Sequence, residues 1–276
     1  MTSSDYPFHH HHHHHHENTS CGSSRSPDPS EISSPQTSIS QFEYASMIRS
    51  AGQSDMEAII EVETTSFPQI YTDVGQLADC RRRELEGGYP YYRILTTNPE
   101  LGDETAIHGL IIFESYLRSY REYHDIGTGE GIVLPANRPP DKKPAYSILM
   151  AAIRADPALL DEEFLFVSEI CIHPHVRERG NGTRLMRHIV DVADVLAVNI
   201  IVLVEGSVSD AAQRWTADEA EEINAVELTA LREREQRTTM PFYDRLGFKK
   251  RAYFFWGRRG CAIPRIFYVM QYPAYR

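Results

Sequence analysis

The stretch Glu169-Ile-Cys-Ile-His-Pro-His-Val-Arg-Glu-Arg-Gly-Asn-Gly-Thr183 decides the fold of this chain. The apolar run from Phe164 to Ile172 reads as a strand, and His173-Pro174 as the turn that ends it. Arg177-x-x-Gly180-x-Gly182 then leads into an amphipathic helix expected over Thr183–Leu196. The two glycines allow a tight turn and let the backbone come close to a ligand, where a Cβ would collide. The unpaired N–H groups that open the helix, at the positive end of its dipole, would face that ligand. Such a strand, loop and helix form a phosphate cradle.

A glycine pair serves many turns for steric reasons alone. What narrows the reading is Pro241-Phe-Tyr-Asp-Arg-Leu-Gly-Phe248, about sixty residues on. Together the two segments resemble the GNAT superfamily of acetyl-CoA-dependent N-acyltransferases. That family's pyrophosphate loop reads Arg/Gln-x-x-Gly-x-Gly/Ala, and its later helix often ends Phe-Tyr-x-x-x-Gly-Phe. Both occur here in the family's order, and the resemblance covers roughly residues 42–276. It implies an α/β GNAT fold: a mixed twisted sheet of about six to seven strands flanked by helices, with a helical insertion before the last helix.

Composition sets the frame. Residues 1–40 hold eight consecutive histidines, His9 to His16, followed by a Ser/Pro/Thr-rich run. So few large apolar residues cannot offset the entropy of ordering, so this tail is expected to be disordered. The histidine run is either an expression tag or a natural low-complexity tract. Residues 41–276 suit one acetyltransferase domain with an insertion near 208–238. The formal net charge is −11, and the tail's four acids against one base leave about −8 for the rest. That balance argues against a nucleic-acid partner and is compatible with a cationic substrate. Cys21, Cys80, Cys171 and Cys261 show no pairing pattern, and free thiols in a reducing compartment are expected. No membrane-length apolar run and no signal peptide are evident, and a glycosylated Asn181-Gly-Thr183 would block the loop itself. A cytoplasmic location is therefore expected.

Along the chain, strands are expected at 45–50, 91–97, 106–117, 164–172, 200–204, 249–255 and 266–272. Helices are expected near 55–65, 74–86, 146–154, 183–196 and around Tyr243. Residues 118–144, charged and rich in Gly and Pro, read as a mobile loop or a flap over substrate. Residues 208–238 carry eight acids, four arginines and a thin apolar stripe that includes Trp215. They read as a solvated helical excursion, with a lid or dimer contact as the alternative.

Acyl transfer to an amine needs a neutral amine, a polarised carbonyl and a stabilised leaving thiolate. An alkylamine with a pKa near 10 is mostly protonated at neutral pH, so a carboxylate near the nitrogen is needed to take the proton. Glu169 is the candidate, on the strand that leads to the loop. Alternation puts Glu169 and Cys171 on one face and Ile170 and Ile172 on the other. The alternative for Glu169 is a partly exposed or arginine-paired glutamate. The resemblance implies that main-chain groups at Cys171 and Ile172 hold the pantetheine arm. It implies that Tyr243 gives a proton to the departing thiolate; the alternative is a tyrosine packed between Phe242 and Phe248. The pyrophosphate of acetyl-CoA would lie on the N–H groups over Arg177–Thr183, including Gly180, Asn181 and Gly182. Arg177 or Arg179 would add charge and Thr183 a hydroxyl. The five histidines outside the run (His108, His124, His173, His175, His188) lack metal-ligand spacing, so no metal is expected.

Within the superfamily, Ser66-Phe67-Pro68 preceded by Glu61 and Glu63, followed by the Arg81–Arg83 run, looks like the arylalkylamine N-acetyltransferase branch. One feature departs from it: the animal enzymes carry His-x-His where this chain has Phe166 and Ser168. The implied partner is a small amine, aromatic or polyamine. A protein N-terminal or lysine acetyltransferase, and a non-catalytic CoA sensor, are the alternatives.

Overall fold

A computed structural model describes residues 46–68, 71, 73–97, 106–124, 129–136, 147–207, 211, 239–256 and 265–273. In chain order these give β1 (Ser46–Ser50), α1 (Met56–Ser66), α2 (Val74–Gly87), β2 (Tyr91–Thr97), β3 (Ile107–Tyr116), β4 (Arg121–His124) and β5 (Gly131–Leu134). There follow α3 (Ser147–Ala155), β6 (Phe164–Ile172), α4 (Asn181–Leu196), β7 (Asn199–Glu205), α5 (Met240–Arg245), β8 (Lys249–Trp256) and β9 (Arg265–Tyr272).

Seven strands form one sheet in the order β1-β2-β3-β6-β7-β9-β8. Only β6 and β7 run parallel; every other neighbouring pair is antiparallel. The mixed sheet and its flanking helices agree with the fold expected from the sequence. β3 is apolar on both faces because both are covered. On one side α4 presents Leu185, Met186, Ile189, Val192, Ala193 and Leu196, a stripe at helical spacing, to Ile111, Phe113, Leu165 and Val167. On the other, Ile59 and Val62 of α1 pack on Ile94, Leu110 and Ile112. Leu149, Ala152 and Ile153 of α3 pack on Phe164, Phe166 and Ile201. At about 1.5–3 kcal/mol for each fully buried aliphatic side chain, these faces supply most of what holds the helices to the sheet.

The structure differs from the sequence reading in two places. Residues 118–144, read as a mobile loop or a flap with no strand assigned, contain the antiparallel pair β4–β5. Tyr123, Ile132 and Leu134 point into the main core while Glu122, His124 and Val133 face out. Four-residue strands with charged outward positions leave too short an alternation to recognise. Second, α4 begins at Asn181 rather than Thr183, because Gly180 takes the N-cap position at φ 79°. The tail, residues 208–210 and 212–238 of the insertion, and the 257–260 turn lie outside the described residues.

Candidate active site

The site starts from a single irregularity in β6. Ile112 faces Glu169 and Phe113 faces Val167, which leaves Ser168 as a bulge without a partner on β3. Its hydroxyl donates to the Ile112 carbonyl at 3.2 Å. One inserted residue reverses the alternation of everything after it. Leu165 and Val167 sit in the α4 core before the bulge; Ile170 and Ile172 do so after it. Glu169 and Cys171 are thereby turned toward α1 and α2, the distribution expected from sequence.

The bulge coincides with a parting of strands. β6 pairs with β7 only from Phe164 opposite Asn199 to Val167 opposite Val202. Beyond that point β6 stays with β3, and β7 stays with β9 as far as Glu205. This end of β6 borders a cleft of about 540 Å³, within the range of small-molecule sites. Ile170 and Ile172 line it, with Phe67 after α1, the loop before α4 and Phe242 of α5. α1 is tied to this rim: the Ser66 hydroxyl donates to the Ile172 carbonyl at 3.1 Å. Gly109 permits the close approach of β3, since a Cβ there would lie 2.7 Å from the Cys171 carbonyl oxygen.

Arg177, Gly180, Asn181, Gly182 and Thr183, the residues read from sequence as a phosphate loop, all border the cleft. Glu178 and Gly180 both have positive φ, which folds the loop back on itself. The first helical hydrogen bond runs from Arg184 N–H to the Gly180 carbonyl. The N–H groups of Asn181, Gly182 and Thr183 therefore precede the helical ladder, at its positive end. The buried Asn181 side chain braces the loop by donating to the Val176 carbonyl at 3.0 Å. A Cβ on Gly182 would find ordinary contacts at 3.7 Å to Ile172 and Phe242. The protein itself leaves room there, so a glycine requirement would come from what enters the cleft. Arg177 bridges the rim through the Ile172 carbonyl at 3.0 Å and the Ser66 carbonyl at 3.4 Å. Arg179 does not border the cleft. Its charge and that of His173 add to burial in pushing the His108 pKa down. Arg245, not singled out from sequence, supplies a second cation on the cleft wall.

The opposite face of the same strand is charged. Glu63 of α1 is fully buried, with Arg81 Nη2 at 2.5 Å and Arg81 Nε at 2.9 Å. Arg81 also reaches Glu169 at 3.0 Å and Glu84 at 2.8 Å. The Tyr71 hydroxyl donates to Glu169 Oε2 at 2.7 Å, and the Cys171 thiol donates to Oε1 at 2.9 Å. The Tyr92 hydroxyl donates to Glu84, and its ring lies 5.8 Å from the guanidinium carbon. One guanidinium thus serves three carboxylates. Burial, with Glu169 nearby, pushes the Glu63 carboxyl up to about 7. Burial opposes the Arg81 charge, but hydrogen bonding and attraction from Glu63 outweigh it and hold the group protonated. Burial and then Glu169 push the Tyr71 phenol and the Cys171 thiol upward, so both remain protonated.

Tyr243 is buried, its ring edge-on to Phe242 at 5.0 Å and Phe248 at 5.4 Å. Its neighbour Phe242, rather than Tyr243, borders the cleft. Burial alone pushes the phenol up to about 12. Glu63, Arg81 and Tyr71 were missed as a unit with Glu169, although a signal was present. Glu63 falls four residues after Ile59 and Arg81 four after Leu77, so each puts a charge on its helix's buried stripe. Cys80 and Cys171 are free thiols. Among the described residues there is no group of three or more metal-ligating side chains, and no helix long and apolar enough to cross a membrane.

No protein-family model matches the chain, and no curated protein matches it. Solved structures similar to it include the ribosomal-protein-S18-alanine N-acetyltransferase from Escherichia coli, at 13% identity and TM-score 0.44, covering 83% of this chain and 93% of that one. Another is an N-acetyltransferase from Staphylococcus aureus Mu50, at 10% identity and TM-score 0.42, covering 82% and 96%. A third is Arabidopsis thaliana NAA60 in complex with acetyl-CoA, at 13% identity and TM-score 0.45, covering 82% and 98%. At these levels of similarity the functional reading stands on this chain's own residues.

Proposed function

We propose that this chain is an acetyl-CoA-dependent N-acetyltransferase that acetylates a small primary amine by direct attack of the nitrogen on the thioester. The observation that carries the reading is the division of β6 beyond Ser168. One face borders a cleft with a helix N-terminus at its end, and the other holds a carboxylate network.

The pyrophosphate would rest on the N–H groups of Asn181, Gly182 and Thr183, with Arg177 and Arg245 as counter-charges. The edge of β6 that β7 gives up, over Ser168–Ile172, offers main-chain groups to the pantetheine arm. In this reading the thioester lies along the β6 edge near Glu169. An alkylammonium at pH 7 is neutral in only about one molecule in a thousand, a penalty of about 4 kcal/mol. Glu169 lowers the barrier by receiving the proton beside the reacting carbonyl, general-base assistance of about 10²–10⁴ in rate. The neutral nitrogen attacks the carbonyl carbon, and the C–S bond breaks as the adduct collapses. The adduct nitrogen then loses a second proton, and the thiolate gains one. A phenol near 12 would be uphill by about three pK units in full proton transfer to an alkyl thiolate. Tyr243 is accordingly read as a hydrogen-bond donor that stabilises the thiolate as it departs.

Phe166 is buried in the core and Ser168 holds the bulge, so neither takes the place of a histidine relay. The proton acceptor is therefore read as Glu169, with Arg81 as its fixed counter-charge. The Glu169 side chain is only 12% exposed, which favours a slender acceptor over a folded protein surface. The acidic charge of the chain agrees with a cationic acceptor and with a cytoplasmic enzyme.

The test is acetyl-CoA-dependent thiol release across aromatic amines, polyamines and peptides with free N-termini. Release with one small-amine class is the expected outcome. Release with peptides alone would move the assignment to protein N-terminal acetylation. Tight acetyl-CoA binding with no release on any acceptor would favour a sensor.

A further inference from the structure

Both oxygens of Glu169 already accept hydrogen bonds. Oε1 accepts from the Cys171 thiol at 2.9 Å, and Oε2 accepts from the Tyr71 hydroxyl at 2.7 Å and from Arg81 at 3.0 Å. An ammonium coming from the cleft meets other groups first. Phe67 borders the cleft, and the Tyr71 ring stands edge-on to it at 6.4 Å between centroids. The Tyr71 N–H bonds to the Phe67 carbonyl at 3.2 Å, so the two residues are held as one turn. Tyr71 thus stands between the cleft wall and the carboxylate. A phenol has one proton to give and lone pairs to accept with, and here the proton is already directed at Glu169.

We propose that the Tyr71 hydroxyl is the catalytic group that contacts the acceptor nitrogen, relaying its proton to Glu169. The inference rests on the acetyltransferase reading above. In the step, an N–H bond of the ammonium breaks as the Tyr71 oxygen takes that proton. In the same motion the hydroxyl's own proton passes to Glu169 Oε2. Tyr71 begins and ends as a neutral phenol, Glu169 ends neutral, and the amine is left uncharged for attack. No tyrosinate forms, which agrees with the strong upward push that burial and Glu169 give this phenol. The groups facing the pair are Glu63 from α1, Cys80, Arg81 and Glu84 from α2, Tyr92 from β2 and Cys171 from β6. Arg81 is the only cation among these named groups.

The experiment compares Tyr71→Phe with wild type on whichever amine the wild type acetylates, as a function of pH. At neutral pH we expect kcat to fall on the order of 10²-fold, with the KM for acetyl-CoA unchanged. The deficit should shrink toward the acceptor's own pKa, where free amine needs no relay. It should also be small at pH 7 for an alkoxyamine, whose nitrogen is already neutral there. A deficit that is constant across pH and acceptors would assign Tyr71 to packing and overturn the relay, as would no deficit at all. A second readout needs no turnover: carboxyl NMR titration of wild type and Tyr71→Phe. Loss of a donor to the ionised form should raise the Glu169 titration in the variant, and an unchanged titration would also overturn the relay. Wild-type thiol release in the same assay judges the acetyltransferase reading, so the two can fail separately.

Discussion

Beyond Ser168, β6 has two unlike faces on one backbone. Ile170 and Ile172 turn toward α4 and border a cleft that ends at the N-terminus of that helix. Glu169 and Cys171 turn toward α1 and α2, into three carboxylates gathered on one arginine. The first face is built from conformation: a bulge, a parted pair of strands and a left-handed glycine. The second is built from charge, with burial setting the proton affinities. A reaction that must hold a polyanion and move a proton at adjacent points gains from this separation. The phosphate cradle stays at the end of the strand, and the base keeps an arginine of its own instead of sharing the cradle's.

The largest expected effect comes from breaking the charged face. Arg81→Met leaves Glu63 and Glu169 buried without their counter-charge. It should cost about 3–5 kcal/mol of stability, read as a fall in the urea midpoint. Gly182→Asp puts a side chain and a negative charge into the other face. It should abolish acetyl-CoA binding by calorimetry while thermal unfolding stays cooperative. Tyr243→Phe removes one hydrogen-bond donor to a developing thiolate. An effect of about tenfold on kcat is expected, with acetyl-CoA affinity retained. A matching loss of affinity would assign the residue to packing with Phe242 and Phe248.

The smallest expected effect separates the faces by pH. The Glu63 carboxyl titrates near 7 when folded and near 4.5 when unfolded. The folded state therefore binds the extra proton between those values, so its contribution favours folding at low pH and is lost as pH rises through about 7. Glu63→Gln should flatten that slope in a stability-against-pH series. Acetyl-CoA affinity should not change.

The cleft face was legible in the sequence because glycines, a proline turn and an apolar strand are local signals. Gly180, Gly182 and Ile172 all sit where their spacing placed them. Alternation put Glu169 and Cys171 together on one face but did not say which; plain alternation from Val167 would have turned them to the α4 side, and the bulge at Ser168 reverses that. The charged face was less legible, since Glu63, Arg81, Tyr71 and Glu169 come from separate elements and meet only when α1 and α2 pack on the sheet. Nothing local to Arg179 distinguished it from Arg177; the two left-handed residues between and after them decide which one borders the cleft. The β4–β5 pair was hidden because each strand offers only four residues.

The most direct measurement is acetyl-CoA binding by titration calorimetry to wild type, Gly182→Asp and Glu169→Gln. If β6 divides cofactor and proton between its faces, wild type and Glu169→Gln bind alike and Gly182→Asp does not bind. Equal loss in both variants, or binding undisturbed in Gly182→Asp, would contradict the division.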